Sequence, residues 1–131
     1  MTEPDRPLPA ETAARLSLER AATRAGDVPV LVLVGELDLA SAGRFRELAE
    51  EAAADAPGMV VADVSEVTFM DSTMLRELLR GHRELAEQGS RLVVAGAQAS
   101  VRRLLELTGT DRLFALAETR EQALGTARSA S

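Results

Sequence analysis

Apolar residues along this chain fall into short continuous runs, separated by stretches in which they recur every third or fourth position. Val30-Leu31-Val32-Leu33-Val34 is apolar throughout and β-branched at every second position, which predicts a strand buried on both faces. Val60-Val61-Ala62-Asp63-Val64 and Arg91-Leu92-Val93-Val94-Ala95 predict two more buried strands. Gly35 is expected to stop the first and Gly96 to close the third. Upstream, Leu16 and Leu18 alternate with Ser17 and Glu19, the pattern of a short edge strand, and Gly26-Asp27 marks a turn after it. Leu113-Phe114-Ala115-Leu116 predicts a short last strand.

Between these runs the period becomes helical. Leu37, Leu39, Ala42, Phe45, Leu48 and Ala49 form one stripe, with Ser41 as the expected N-cap and Pro57-Gly58 as the stop. Leu75, Leu78, Leu79, His82, Leu85 and Ala86 form a second stripe in a helix running from Thr73 to Gly89. A third helix opens near Ser100, carries Val101, Leu104, Leu105 and Leu107, and closes at Gly109. A short fourth follows Thr119, with Ala123 and Leu124 on its apolar side. Ser65 to Met70 is expected to be a loop that delivers Asp71 to the second helix.

Strands alternating with helices predict an α/β fold: one mixed, mostly parallel sheet of four to five strands with about four helices. A hairpin of the first two strands would supply the antiparallel part. Pro4, Pro7 and Pro9 among polar residues predict a flexible tail over 1–13. The folded domain is expected over 14–127, and a second short tail over 128–131.

Composition narrows the function. At 131 residues, 46% of them hydrophobic, the chain fits one domain with one core. Its three aromatic residues are all Phe, so the core must be aliphatic. All fifteen cationic side chains are Arg, and Cys is absent. No disulfide, thiolate nucleophile or Cys-based metal site is available. The net charge of −6 disfavours nucleic acid and anionic membrane surfaces and suits a partner with a basic face. Met1-Thr2-Glu3-Pro4-Asp5 has no cationic start and no apolar stretch, so no secretory signal is expected. The longest apolar run is far too short to span a bilayer, and a cytoplasmic protein is expected.

Enzyme chemistry finds little purchase. His82 is the one histidine, and ten helical residues, about 15 Å of rise, part it from Ser72. A hydrolytic pair cannot form from them. There is no Gly-x-Ser-x-Gly elbow, no lysine for a phosphate loop and no dinucleotide fingerprint. Glu36 and Asp38 could bind a hard cation or form a solvated loop, and two carboxylates decide nothing. No cofactor or metal is expected. Asp71-Ser72-Thr73 admits two readings. It is a good helix N-terminus, with the acid as cap. It is also a place where a phosphorylated hydroxyl would meet free amides and the positive end of the helix dipole.

Three blocks, in order, favour the second reading. Gly35-Glu36-Leu37-Asp38 follows a buried strand. Asp63-Val64-Ser65-Glu66-Val67-Thr68-Phe69-Met70-Asp71-Ser72-Thr73 is the second block. Val101-Arg102-Arg103-Leu104-Leu105-Glu106-Leu107-Thr108-Gly109, then Leu113-Phe114, is the third. Together they resemble the STAS domain of bacterial anti-sigma factor antagonists, from about Val28 to Leu124. The resemblance implies a binding module that is not an enzyme. Unphosphorylated antagonists of this family bind an anti-sigma factor that is also a serine/threonine kinase of the GHKL type, which frees the sigma factor. The kinase phosphorylates the hydroxyl after the motif aspartate, and a PP2C-type phosphatase resets it.

On this chain the resemblance places the modified hydroxyl at Ser72, with Thr73 secondary. It places the partner surface at Glu36, Asp38, Asp71, Ser72, Thr73 and Met74. The family usually has Gly where Met74 stands. Met74 lies off the Leu75/Leu78/Leu79 stripe and is expected to point outward, as an apolar contact or as an obstruction to the kinase. The alternative is a STAS module serving as a constitutive subunit, beside a transporter ATPase or in a signalling assembly, without a phosphorylation cycle. The oligomeric state and the identity of the sigma factor stay open.

Overall fold

The computed structural model describes residues 13–127; the two predicted tails fall almost wholly outside them. The elements run β1 (Arg15–Thr23), β2 (Gly26–Leu37), α1 (Leu39–Ala53), β3 (Met59–Met70), α2 (Ser72–Glu87), β4 (Arg91–Ala95), α3 (Ala99–Thr108), a 3₁₀ turn (Thr110–Arg112), β5 (Ala115–Ala117) and α4 (Arg120–Leu124). One sheet takes the strands in sequence order, β1-β2-β3-β4-β5. β1 and β2 form an antiparallel hairpin, and every later pairing is parallel.

Right-handed crossovers that step the same way along a sheet place their helices on one face. α1, α2 and α3 accordingly share the main core, where Leu31, Leu33, Val60, Val64, Leu92 and Val94 meet Phe45, Leu48, Leu78, Leu85, Val101 and Leu105. The opposite face carries a smaller cluster of Val28, Val30, Val61, Val93 and Ala95, met by Ala123 of α4. The three continuous apolar runs are buried on both sides for this reason.

Five expectations are corrected. β2 does not stop at Gly35. It continues to Leu37 through register shifts against β3, and Gly35 takes the positive φ of 93° that such an irregularity needs. Leu37 is thus a fully buried strand residue, not the first of a helix. With the strand running that far, the chain enters α1 at Asp38, which is the N-cap; Ser41 lies inside the first turn and is buried.

The Ser65–Met70 segment is not a loop. It is the second half of β3, held by pairing with β2 as far as Leu37–Met70 and by the burial of Val67 and Met70. Last, β5 covers Ala115–Ala117, while Phe114 is buried in the turn before it.

Three contacts fix the far side of this extension. Gly96 follows β4 at φ 80°, and a Cβ there would lie 2.8 Å from Ser65 Cβ. Only glycine allows β4 and β3 to approach so closely at that point. Beyond it, Gln98 Nε2 donates to the Ser65 carbonyl at 2.8 Å, and Ser100 Oγ to the Thr68 carbonyl at 3.1 Å. The start of α3 is therefore tied to the strand that leads to Asp71.

Candidate functional site

Asp71 is the single residue between β3 and α2. Its backbone is extended, and its Oδ1 accepts the Met74 amide at 2.9 Å. Its carbonyl accepts the Leu75 amide at 3.1 Å. It is the N-cap of α2. Ser72 and Thr73 are the first two helical residues, and no carbonyl one helical turn back reaches their amides, as at any helix start. The Ser72 side chain is exposed and that of Thr73 is half-buried. Ser72 is the more accessible hydroxyl.

Asp38 repeats the arrangement one strand away. Its Oδ1 accepts the Ala40 amide at 2.9 Å, capping α1. Because β2 and β3 are parallel neighbours in register at Leu37 and Met70, both caps leave the sheet at the same edge. The Asp71 amide donates to the Leu37 carbonyl at 3.1 Å and joins them directly. Glu36, also exposed, stands opposite Phe69. The structure thus brings Glu36, Asp38, Asp71, Ser72 and Thr73 together. Behind them, Arg46 on α1 grips Glu77 on α2 with Nε and Nη2, at 3.2 and 2.8 Å. Hydrogen bonds from Arg46 hold the Glu77 carboxyl below the usual range.

Met74 does not join them. It is completely buried, packed in the main core with Leu75 and Leu78. The sheet reaches Met70, so the first turn of α2 lies over strand ends rather than over solvent. The inward stripe is one residue wider there than the later turns suggest. Met74 is therefore neither an outward apolar contact nor an obstruction on the surface.

Two surface residues were missed by the sequence pattern. Phe69 is 51% exposed and Leu39 is 71% exposed. Both sit at this edge, Phe69 opposite Glu36 and Leu39 directly after Asp38. Their signal was hidden. Phe69 lay in a presumed loop, and Leu39 was counted on the apolar stripe of α1. The register shifts of the β2–β3 pairing break strict alternation, so Phe69 faces out while Met70 turns in.

On the opposite face of the sheet Asp63 is nearly buried. Burial pushes its carboxyl up, but hydrogen bonds from the Ser65 hydroxyl and amide and from Arg120 outweigh that, and the group is held below the usual range. Arg120 bridges Asp63 at 2.8 Å and Glu19 at 2.9 Å, tying α4 to β3 and β1. His82 is half-buried, its ring edge-on to Phe114 at 5.6 Å. It is a packing residue, far from Ser72. Among the described residues no three acids or histidines gather as a metal site, and no helix is long and apolar enough to cross a membrane.

Residues 19–123 match the STAS domain model. The chain belongs to the STAS domain family. A second comparison agrees: the anti-sigma-F factor antagonist RsfB of Mycobacterium tuberculosis is 35% identical over 97 residues, spanning 74% of this chain and 79% of RsfB. The crystal structure of an anti-sigma factor antagonist from Mycobacterium paratuberculosis superposes with a TM-score of 0.77 at 28% identity, covering 93% of this chain and all of that one, 100%. The unphosphorylated form of the anti-sigma factor antagonist SpoIIAA gives a TM-score of 0.70 at 25% identity, covering 84% and 93% of the two chains. This STAS domain therefore carries its exposed Ser72 on a fold shared with anti-sigma factor antagonists.

Proposed function

We propose that this STAS domain is an anti-sigma factor antagonist whose switch is the Ser72 hydroxyl. Unmodified, it binds an anti-sigma factor and so frees a sigma factor. The anti-sigma factor is a GHKL-type kinase that phosphorylates Ser72, which ends the complex, and a PP2C-type phosphatase restores it. The observation that carries this is the exposure of Ser72 at the first turn of α2, beside Asp71, Glu36 and Asp38, in a chain 35% identical to an anti-sigma-F factor antagonist.

The surface suits that task. Leu39 and Phe69 are exposed apolar anchors among the carboxylates of Glu36, Asp38 and Asp71. A partner with an apolar patch rimmed by basic residues fits it. A phosphate on Ser72 adds about −1.5 to −2 charge among those acids. Pressed into an interface it introduces repulsion and desolvation, and each ~1.4 kcal/mol lowers affinity tenfold. The helix N-terminus accommodates the phosphate meanwhile, so the fold itself is undisturbed. On this reading binding is the whole activity, and the one histidine, His82, packs against Phe114 rather than beside Ser72.

The test is incubation of the purified protein with its cognate kinase and Mg-ATP, followed by mass spectrometry. One phosphate on Ser72 is expected, with Ser72→Ala unlabelled. Equal labelling of Ser72→Ala, or a stable complex indifferent to Ser72→Asp, contradicts the proposal; the latter result points to a constitutive subunit.

A further inference from the structure

Arg76 lies one turn beyond Ser72 on the exposed side of α2. Residues four apart on a helix are neighbours, with Cβ atoms about 5–6 Å apart. Helical side chains tilt toward the N-terminus, so a long side chain lies back over the preceding turn. A guanidinium at position 76 is therefore within reach of position 72.

Arg76 is also unengaged among the described residues. Arg80 pairs with Glu84 at 3.2 Å, and Arg46 with Glu77 at 2.8 Å. Arg76 forms no hydrogen bond or ion pair with any described residue, and its charge acts on Glu77 only at a distance. Around Ser72 stand the carboxylates of Glu36, Asp38 and Asp71, and Arg44 of α1 lines the same hollow as Glu36 and Asp38. A phosphate there would meet repulsion from those acids, and Arg76 is the cation nearest to it along α2.

We propose that Arg76 is the phosphate-holding residue of the modified state. Its guanidinium forms a charge-assisted pair with the phosphate on Ser72 and holds it against the first turn of α2. Arginine suits this role because its planar fork can engage two phosphate oxygens at once. The proposal rests on Ser72 being the modified residue. It adds that the phosphate is fixed on α2, where it stands in the path of a partner docking on Phe69 and Leu39. Arg76 is a positioning residue, and its pair exists only after modification.

The experiment installs phosphoserine at position 72 during translation, so no kinase is needed. Phosphorus NMR then follows the second ionisation of the phosphate in the full chain. With Arg76 present it is expected below the ordinary value of about 6. Arg76→Gln should raise it by about half a unit or more, a roughly threefold change in proton affinity. Arg76→Lys should keep part of the effect, and Arg80→Gln should leave the ionisation unchanged. Identical titrations for wild type and Arg76→Gln overturn the proposal. An equal shift in Arg80→Gln overturns it too, because the effect would then be a general field. A kinase that fails to label Ser72 counts against the antagonist cycle alone and leaves this titration unaffected.

Discussion

The backbone amide of Asp71 donates to the carbonyl of Leu37 at 3.1 Å. This bond closes the β2–β3 ladder at the place where both strands give way to helices. It sets the cap of α2 beside the cap of α1, and with them Ser72 beside Glu36 and Asp38. The Ser72 hydroxyl and the acids around it are thereby placed by main-chain geometry. The site inherits the rigidity of the sheet rather than that of a loop, which suits a surface that must present one charge at one point.

Phe69 is expected to matter for binding and not for folding. It is half-exposed at the edge of the site. Phe69→Ala should change stability by no more than about 0.5 kcal/mol. Affinity for the anti-sigma factor should fall tenfold or more, about 1.4 kcal/mol, as for an aromatic anchor. Calorimetric titration alongside urea denaturation separates the two effects. Unchanged affinity would remove Phe69 from the interface.

Met74 is expected to behave in the opposite way. It is fully buried in the main core, so Met74→Ala should destabilise the domain by about 2–5 kcal/mol. The protein that remains folded should bind the anti-sigma factor with unchanged affinity. A stability change below about 0.5 kcal/mol in urea would place the side chain on the surface after all.

Asp63 gives the domain a defined acid response. Its carboxyl ionises below the usual range in the folded state. Its contribution is therefore complete above the ordinary aspartate value of about 3.9 and is lost as pH falls through the folded value. Asp63→Asn should be less stable than wild type at neutral pH, and the gap should close below about pH 4. Arg120→Ala, which leaves the Asp63 carboxylate with Ser65 as its remaining partner, should cost about 1–3 kcal/mol at pH 7. Denaturation curves at several pH values check both.

The sequence pattern located the sheet well, and failed where tertiary pairing overrides local signals. Val30–Val34, Val60–Val64 and Arg91–Ala95 are dense in apolar β-formers, and each lies within a strand. Ser65–Met70 lacks that density. It is extended because β2 continues beside it, a partner no local window reveals. The same continuation moved the N-cap of α1 from Ser41 to Asp38. Both residues are good capping types, and only the length of β2 chooses between them. Met74 turned inward for a related reason, since the strands end beneath the first turn of α2. Motif and order pointed to Ser72, Glu36 and Asp38, which the fold brings to one edge, whereas Leu39 and Phe69 became visible only once that edge was assembled.

The central claim is that the state of the Ser72 hydroxyl governs partner binding. The most direct measurement is the affinity of the full chain for its purified cognate anti-sigma factor kinase, with serine and with phosphoserine at position 72. Binding by the serine form is expected, weakened at least about a hundredfold by the phosphate, or roughly 2.7 kcal/mol. Equal affinities for the two forms would contradict the account.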